Sequence, residues 1–174
     1  MTEPTDPEGD RKMSTTIDAT HDVDALTMTS SAEFDAPVER VWQIWADPRQ
    51  LERWWGPPSW PATFVRHSLE PGSRSDYFMT GPDGTKAAGY WTIVAVHEPH
   101  SITLEDGFAD VSGQPDTSMP ITTMEVTLED LGGRTRMTNT AHFATAEQLE
   151  QLLEMGMREG MLEALGQIES ILAE

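Results

Sequence analysis

An apolar stripe running from Thr145 to Ala173 constrains this chain more than any other feature. Leu149, Leu153, Met157, Met161, Ala164, Leu165, Ile168 and Leu172 recur at spacings of three, four and seven, so they share one face of an α-helix. Thr145 with Gln148 three residues on forms a capping-box start, and no proline follows. At about 1.5 Å per residue such a helix is roughly 40 Å long, more than an ordinary packing helix needs. Gly156, Gly160 and Ala164 form a second row beside the stripe. A helical glycine costs about 1 kcal/mol relative to alanine, so the pair implies a gain elsewhere. Either another backbone approaches closely there, or the missing side chains leave room for something that is not protein.

The rest of the chain supplies what such a helix would pack on. Residues 1–25 hold seven acids and two bases through position 24 and no apolar run. They read as a disordered acidic tail preceding a domain over residues 26–174. From Thr27 to Phe34 Met28, Ser30, Ala32 and Phe34 alternate as a strand. Asp35-Ala36-Pro37 starts a helix carrying Val38, Val41, Trp42 and Trp45 on one side, and Asp47-Pro48 starts a second through Arg53. Strand patterns then follow over 62–69, 74–80, 86–96, 102–105, 121–129 and 135–143, separated by turns such as Pro71-Gly72 and Gly81-Pro82-Asp83-Gly84. Residues 106–119 read as the longest irregular segment. The fold class is α+β: a curved antiparallel sheet of about six to seven strands wrapped on a long C-terminal helix, with two short helices after the first strand.

Phe34-x-Ala-Pro-x-x-x-Val-Trp, Asp47-Pro48, Trp54-Trp55-Gly-Pro, Gly89-Tyr-Trp91 and Glu105-Asp-Gly-Phe-Ala-Asp110 are similar to motifs of the START-like (Bet v-like, SRPBCC) helix-grip superfamily. So are Gly133-Arg-Thr-Arg-Met137 and Met155-Gly-Met-Arg-Glu-Gly160. Within it the chain most resembles the branch named for homologues of the activator of the heat-shock-protein-90 ATPase, over about residues 27–173. That resemblance implies a sheet gripping the C-terminal helix around an apolar cavity. Superfamily cavities take lipids, hormones or polyketides, and a few members are cyclases or hydroxylases. The resemblance supplies no shared catalytic set, and it does not extend to the N-terminal domain of the co-chaperone members.

Charge and composition narrow the partners. Thirty acidic residues against eleven basic ones give a formal charge of −19, which repels phosphate backbones and anionic headgroups. Neither nucleic acid nor a membrane is an expected partner, and no run of 18 apolar residues exists. With no secretory signal, a soluble cytoplasmic protein is expected. The absence of cysteine removes thiol chemistry and disulfides. No Gly-x-Ser-x-Gly elbow or Gly-x-Gly-x-x-Gly loop occurs, so hydrolase, nucleotide-binding and dehydrogenase readings lack support.

Alternation turns Tyr77, Met79, Trp91, Met124, Met137, Asn139, Met157 and Met161 inward, with Trp55 and Phe108 at the mouth and Gly160 on the helix. Asn139 is the polar exception on its strand face, bonding Tyr77 or backbone, or meeting a ligand. Arg66 and Asp76 are expected outward, and His97-Glu98-x-His100 falls on a proline turn with no third ligand. His67 and His142 read as structural or surface residues. Glu105, Asp106 and Asp110 could form an acid–base pair beside the long loop, but turn-forming roles are favoured. The leading expectation is a binding module without cofactor or metal, taking a small hydrophobic or amphipathic ligand on Trp55, Tyr77, Met79, Trp91, Phe108, Met124, Asn139, Met157, Gly160 and Met161. A cavity enzyme would instead need an ionisable side chain with a shifted pKa on the wall. A third reading uses the tryptophan-rich segment 54–60 as an exposed partner patch, and a weak homodimer is also allowed for.

Overall fold

The computed structural model describes residues 16–174. The element order is β1 (Ile17–Asp22), β2 (Thr27–Phe34), α1 (Val38–Ala46), α2 (Pro48–Leu51), β3 (Ala62–Arg66), β4 (Arg74–Thr80), β5 (Lys86–His97), β6 (Ser101–Ala109), β7 (Thr122–Asp130), β8 (Thr135–His142), α3 (Ala146–Glu154), α4 (Met157–Leu165) and α5 (Ile168–Leu172). The eight strands form one antiparallel sheet in the order β1-β2-β8-β7-β6-β5-β4-β3. One face is apolar and covered. Met28, Ala32 and Phe34 on β2, Ile102 and Leu104 on β6, and Met124, Val126 and Leu128 on β7 all point into it and are buried. The alternation expected from the sequence therefore sets the inner face, and the α+β architecture holds.

Three expectations are corrected. The sheet has eight strands rather than six or seven, because β1 pairs along the whole of β2. That strand lies inside the stretch read as a disordered tail, so the domain starts earlier than residue 26; the remainder of that stretch, 1–15, lies outside the described residues. Its sequence hides it, since Ala19 is its one buried apolar side chain and an edge strand needs only one covered face. The second correction concerns β6, which runs through Ala109 and so takes Asp106 and Phe108 out of the expected loop.

The third is the C-terminal helix, which is three helices rather than one. Gly156 has φ +89°, a left-handed conformation that ends α3 and restarts the chain as α4. Glycine adopts that geometry without the steric cost a Cβ would bring. The break redirects the chain: α3 covers Met28, Ala141 and Phe143, while α4 packs over β1 and β2 and is tied there by Arg158 Nε donating to the Ala19 carbonyl at 3.1 Å. The two glycines thus have separate roles, because Gly160 lies inside α4. Gly156→Ala is expected to lower stability by about 1 kcal/mol, since the left-handed backbone penalises a side chain. Gly160→Ala, in right-handed helix with nothing within 4 Å of an added Cβ, is expected to raise it by about 0.5–1 kcal/mol. Urea unfolding of the two variants checks the opposite signs.

Candidate functional site

Between the inner face of β4–β7 and the α3–α4 turn lies a cavity of about 470 Å³. Small-molecule sites commonly span roughly 300–1,000 Å³. Met157, Gly160, Met161 and Ala164, spaced as one helical face, form its roof from α4. An added Cβ on either Gly156 or Gly160 would meet nothing within 4 Å, so no second backbone approaches there among the described residues. Gly160, inside α4, leaves room instead. The opposite wall is Tyr77 and Met79 of β4, Asp106 and Phe108 of β6, and Thr122 and Met124 of β7; Trp55 and Trp60 close one end.

One polar pair is set into this apolar lining. Tyr77 Oη donates to Asp106 Oδ1 at 2.9 Å, although β5 runs between their two strands. The phenol crosses β5 at Gly89, the residue paired with Tyr77, where an added Cβ would sit 2.5 Å from the phenol oxygen. Gly89 is thus the gap through which the pair forms. Burial raises the Asp106 carboxyl to about 7, partly countered by the Tyr77 hydrogen bond. Burial likewise pushes the Tyr77 phenol well above its usual range, with the Asp106 charge adding to it. The phenol therefore stays a donor and the carboxyl changes charge near neutrality. Tyr77→Phe is expected to move the Asp106 titration above its present midpoint, because the bond that favours the ionised form is lost. Gly89→Ala is expected to do the same and to cost about 1–3 kcal/mol through crowding. Carboxyl-carbon NMR titration with urea unfolding reads both.

Eight of the ten residues expected to contact a ligand line this cavity: Trp55, Tyr77, Met79, Phe108, Met124, Met157, Gly160 and Met161. The other two do not. Trp91 is fully buried beneath Trp55, 4.9 Å away between ring centroids, in a cluster with Trp45 and Phe64. Asn139 lies deeper on β8, opposite Ser30 and Val126, and its amide has no hydrogen-bond partner among the described residues. Tyr77 is engaged by Asp106 instead. Sequence reasoning placed Asp106 in a loop; no local pattern shows that Tyr77 faces a glycine and that Tyr90 covers Gly107 on the other face. Asp110 does form a turn, accepting from the Ser112 and Gln114 N–H groups, and Glu105 lies on the outer face opposite Thr92 and Thr123.

His67 serves structure. His67 Nε2 donates to the Trp45 carbonyl at 2.7 Å, which leaves Nδ1 to accept from the Ser75 hydroxyl at 2.9 Å. Burial lowers its pKa, and the ring is neutral at neutral pH. The exposed tryptophan patch is also corrected. Trp54 and Trp55 are buried, with Trp54 Nε1 donating to the Ile44 carbonyl at 2.9 Å, and Trp60 stacks against Gly81. Two side-by-side tryptophans after a short helix close the core rather than face solvent. Arg66 and Asp76 are paired at 2.6 Å on the outer face. They border a second hollow of about 460 Å³ under the 110–114 turn. Asp76 also takes Arg74 there at 2.8 Å, so one carboxylate bridges both guanidinium groups. Among the described residues no three His, Asp or Glu side chains converge as a metal site, and no helix is long and apolar enough to cross a membrane.

The family model for "Activator of Hsp90 ATPase homolog 1-like protein" matches residues 35–173. A solution NMR structure of a protein from Arthrobacter aurescens is 51% identical, with a TM-score of 0.86 over 90% of this chain and 91% of that one. A crystal structure of a protein from Mycobacterium smegmatis is 55% identical, with a TM-score of 0.83 over 91% of this chain and 96% of that one. DynU16, described as a putative protein in the dynemicin biosynthetic locus, shares the fold at 17% identity and a TM-score of 0.59, over 85% of this chain and 47% of that one. No functionally curated protein matches the chain.

Proposed function

The chain belongs to the family of activator of Hsp90 ATPase homolog 1-like proteins, and from that premise we propose that it binds an apolar or amphipathic small molecule between sheet and α4. The observation that carries this reading is the roof of the cavity: a helical glycine, Gly160, kept where no neighbour demands it, above a wall of methionine and aromatic side chains. Apolar burial at about 25 cal/mol per Å² would supply most of the affinity. Methionines let the wall adapt to the ligand's shape.

The test is a thermal-shift panel of long-chain alcohols, fatty acids, flavonoids and polyketides. A ligand present at one hundred times its Kd stabilises by about 2.7 kcal/mol, or several degrees in Tm for a chain of this length. A panel in which nothing raises Tm contradicts the reading. A second reading, proton-transfer catalysis in the same cavity, is favoured by one observation, the Asp106 carboxyl poised at about 7 on the wall. It requires that a bound compound be recovered chemically changed, and that Asp106→Asn stop the change while leaving binding intact.

A further inference from the structure

If the cavity holds a small molecule, as proposed above, its wall also constrains the charge that molecule carries. Among the described residues no Lys, Arg or His lines it, and its titratable side chains are Asp106 and Tyr77. Tyr77 already directs its proton at Asp106, so the free capacity of the pair is for a donor or a cation. The Tyr77 ring stands edge-on to Trp55, with centroids 6.1 Å apart, and Phe108 follows Asp106 on the same face of β6. Aromatic faces attract cations within about 6 Å of the ring centroid.

The alternatives fare worse on the same wall. An anionic head would face a carboxylate without a basic partner, inside a chain of formal charge −19. A neutral head leaves the aromatic faces and the carboxylate without a charge to attract. A primary ammonium brings three N–H donors into a lining whose polar acceptors beyond the Tyr77–Asp106 pair reduce to Thr122 and backbone. A quaternary ammonium carries the charge and no donor to leave unpaired. We infer that the cavity selects amphiphiles bearing a quaternary ammonium group, with Asp106 as the counter-ion and the Trp55, Tyr77 and Phe108 rings around it.

Calorimetric titration of the full chain at pH 8 with decyltrimethylammonium and decanoate below their micelle-forming concentrations, and decanol below its solubility limit, tests this. The expected order is trimethylammonium at least tenfold tighter than decanol, with decanoate weakest. Asp106→Asn should bring the first two level, and Phe108→Leu, which keeps apolar bulk without a ring face, should narrow the gap. Decanol binding as well as or better than the cation overturns the charge inference while leaving the small-molecule reading intact. A cation preference that survives Asp106→Asn overturns the counter-ion assignment. Failure of all three compounds to bind removes both.

Discussion

Asp106→Asn is expected to make this protein more stable at pH 8 by about 2 kcal/mol or more, and no more stable at pH 4. The carboxyl titrates at about 7 in the folded chain against an ordinary 3.8. A raised carboxyl pKa means the folded state holds its proton where the unfolded chain has released it. Stability therefore falls as pH rises from about 4 to about 7, and the full cost stands above that window. At about 1.4 kcal/mol per pH unit the shift corresponds to roughly 4 kcal/mol, reduced toward about 2 because the half-buried group retains some solvent. Asparagine keeps an oxygen for the Tyr77 hydroxyl and carries no charge to desolvate. Denaturant unfolding of both proteins from pH 4 to pH 8 isolates the effect, because the other carboxylates are common to both. Parallel stability curves would contradict it. A side chain that lowers stability at neutral pH is retained for some other reason, and the cavity supplies one.

Gly160→Trp is expected to lower affinity for any cavity ligand at least a hundredfold, with Tm unchanged or raised. Gly160 sits at the middle of the α4 face formed by Met157, Met161 and Ala164, and space for a Cβ is open there. An indole can enter the void without displacing backbone, and the helix gains about 0.5–1 kcal/mol from losing a glycine. Separation of the two readouts is what distinguishes occupied space from a damaged fold. Undiminished affinity in a folded variant would place the ligand elsewhere.

Much of this arrangement was legible in the residues themselves. Alternation along β7 and β8 placed Thr122, Met124, Met137 and Ala141 inward, and the 3.6-residue period placed Met157 and Met161 over them. Those patterns depend on local geometry, which a sequence carries directly. Gly156 was legible as a cost but not as a break, because a left-handed residue and a close approach leave the same glycine in a helical pattern. β1 was hidden because an edge strand can be polar on nearly every residue and still pair. Asp106 was named as a candidate carboxylate but placed in the loop rather than on the cavity wall. Its role depends on Tyr77 reaching across β5 at Gly89, a relation among three strands that exists only once their register is fixed.

If a small molecule fills the space beneath α4, methionine methyl groups sense it. Met79, Met124, Met157 and Met161 line the cavity, while Met28 and Met137 are buried in the core outside it. In methyl-labelled protein titrated with decanol or decyltrimethylammonium, saturable shifts are expected at the first four and none at Met28 or Met137. Shifts confined to Met28 and Met137, or no saturable change at any of the six, would contradict it.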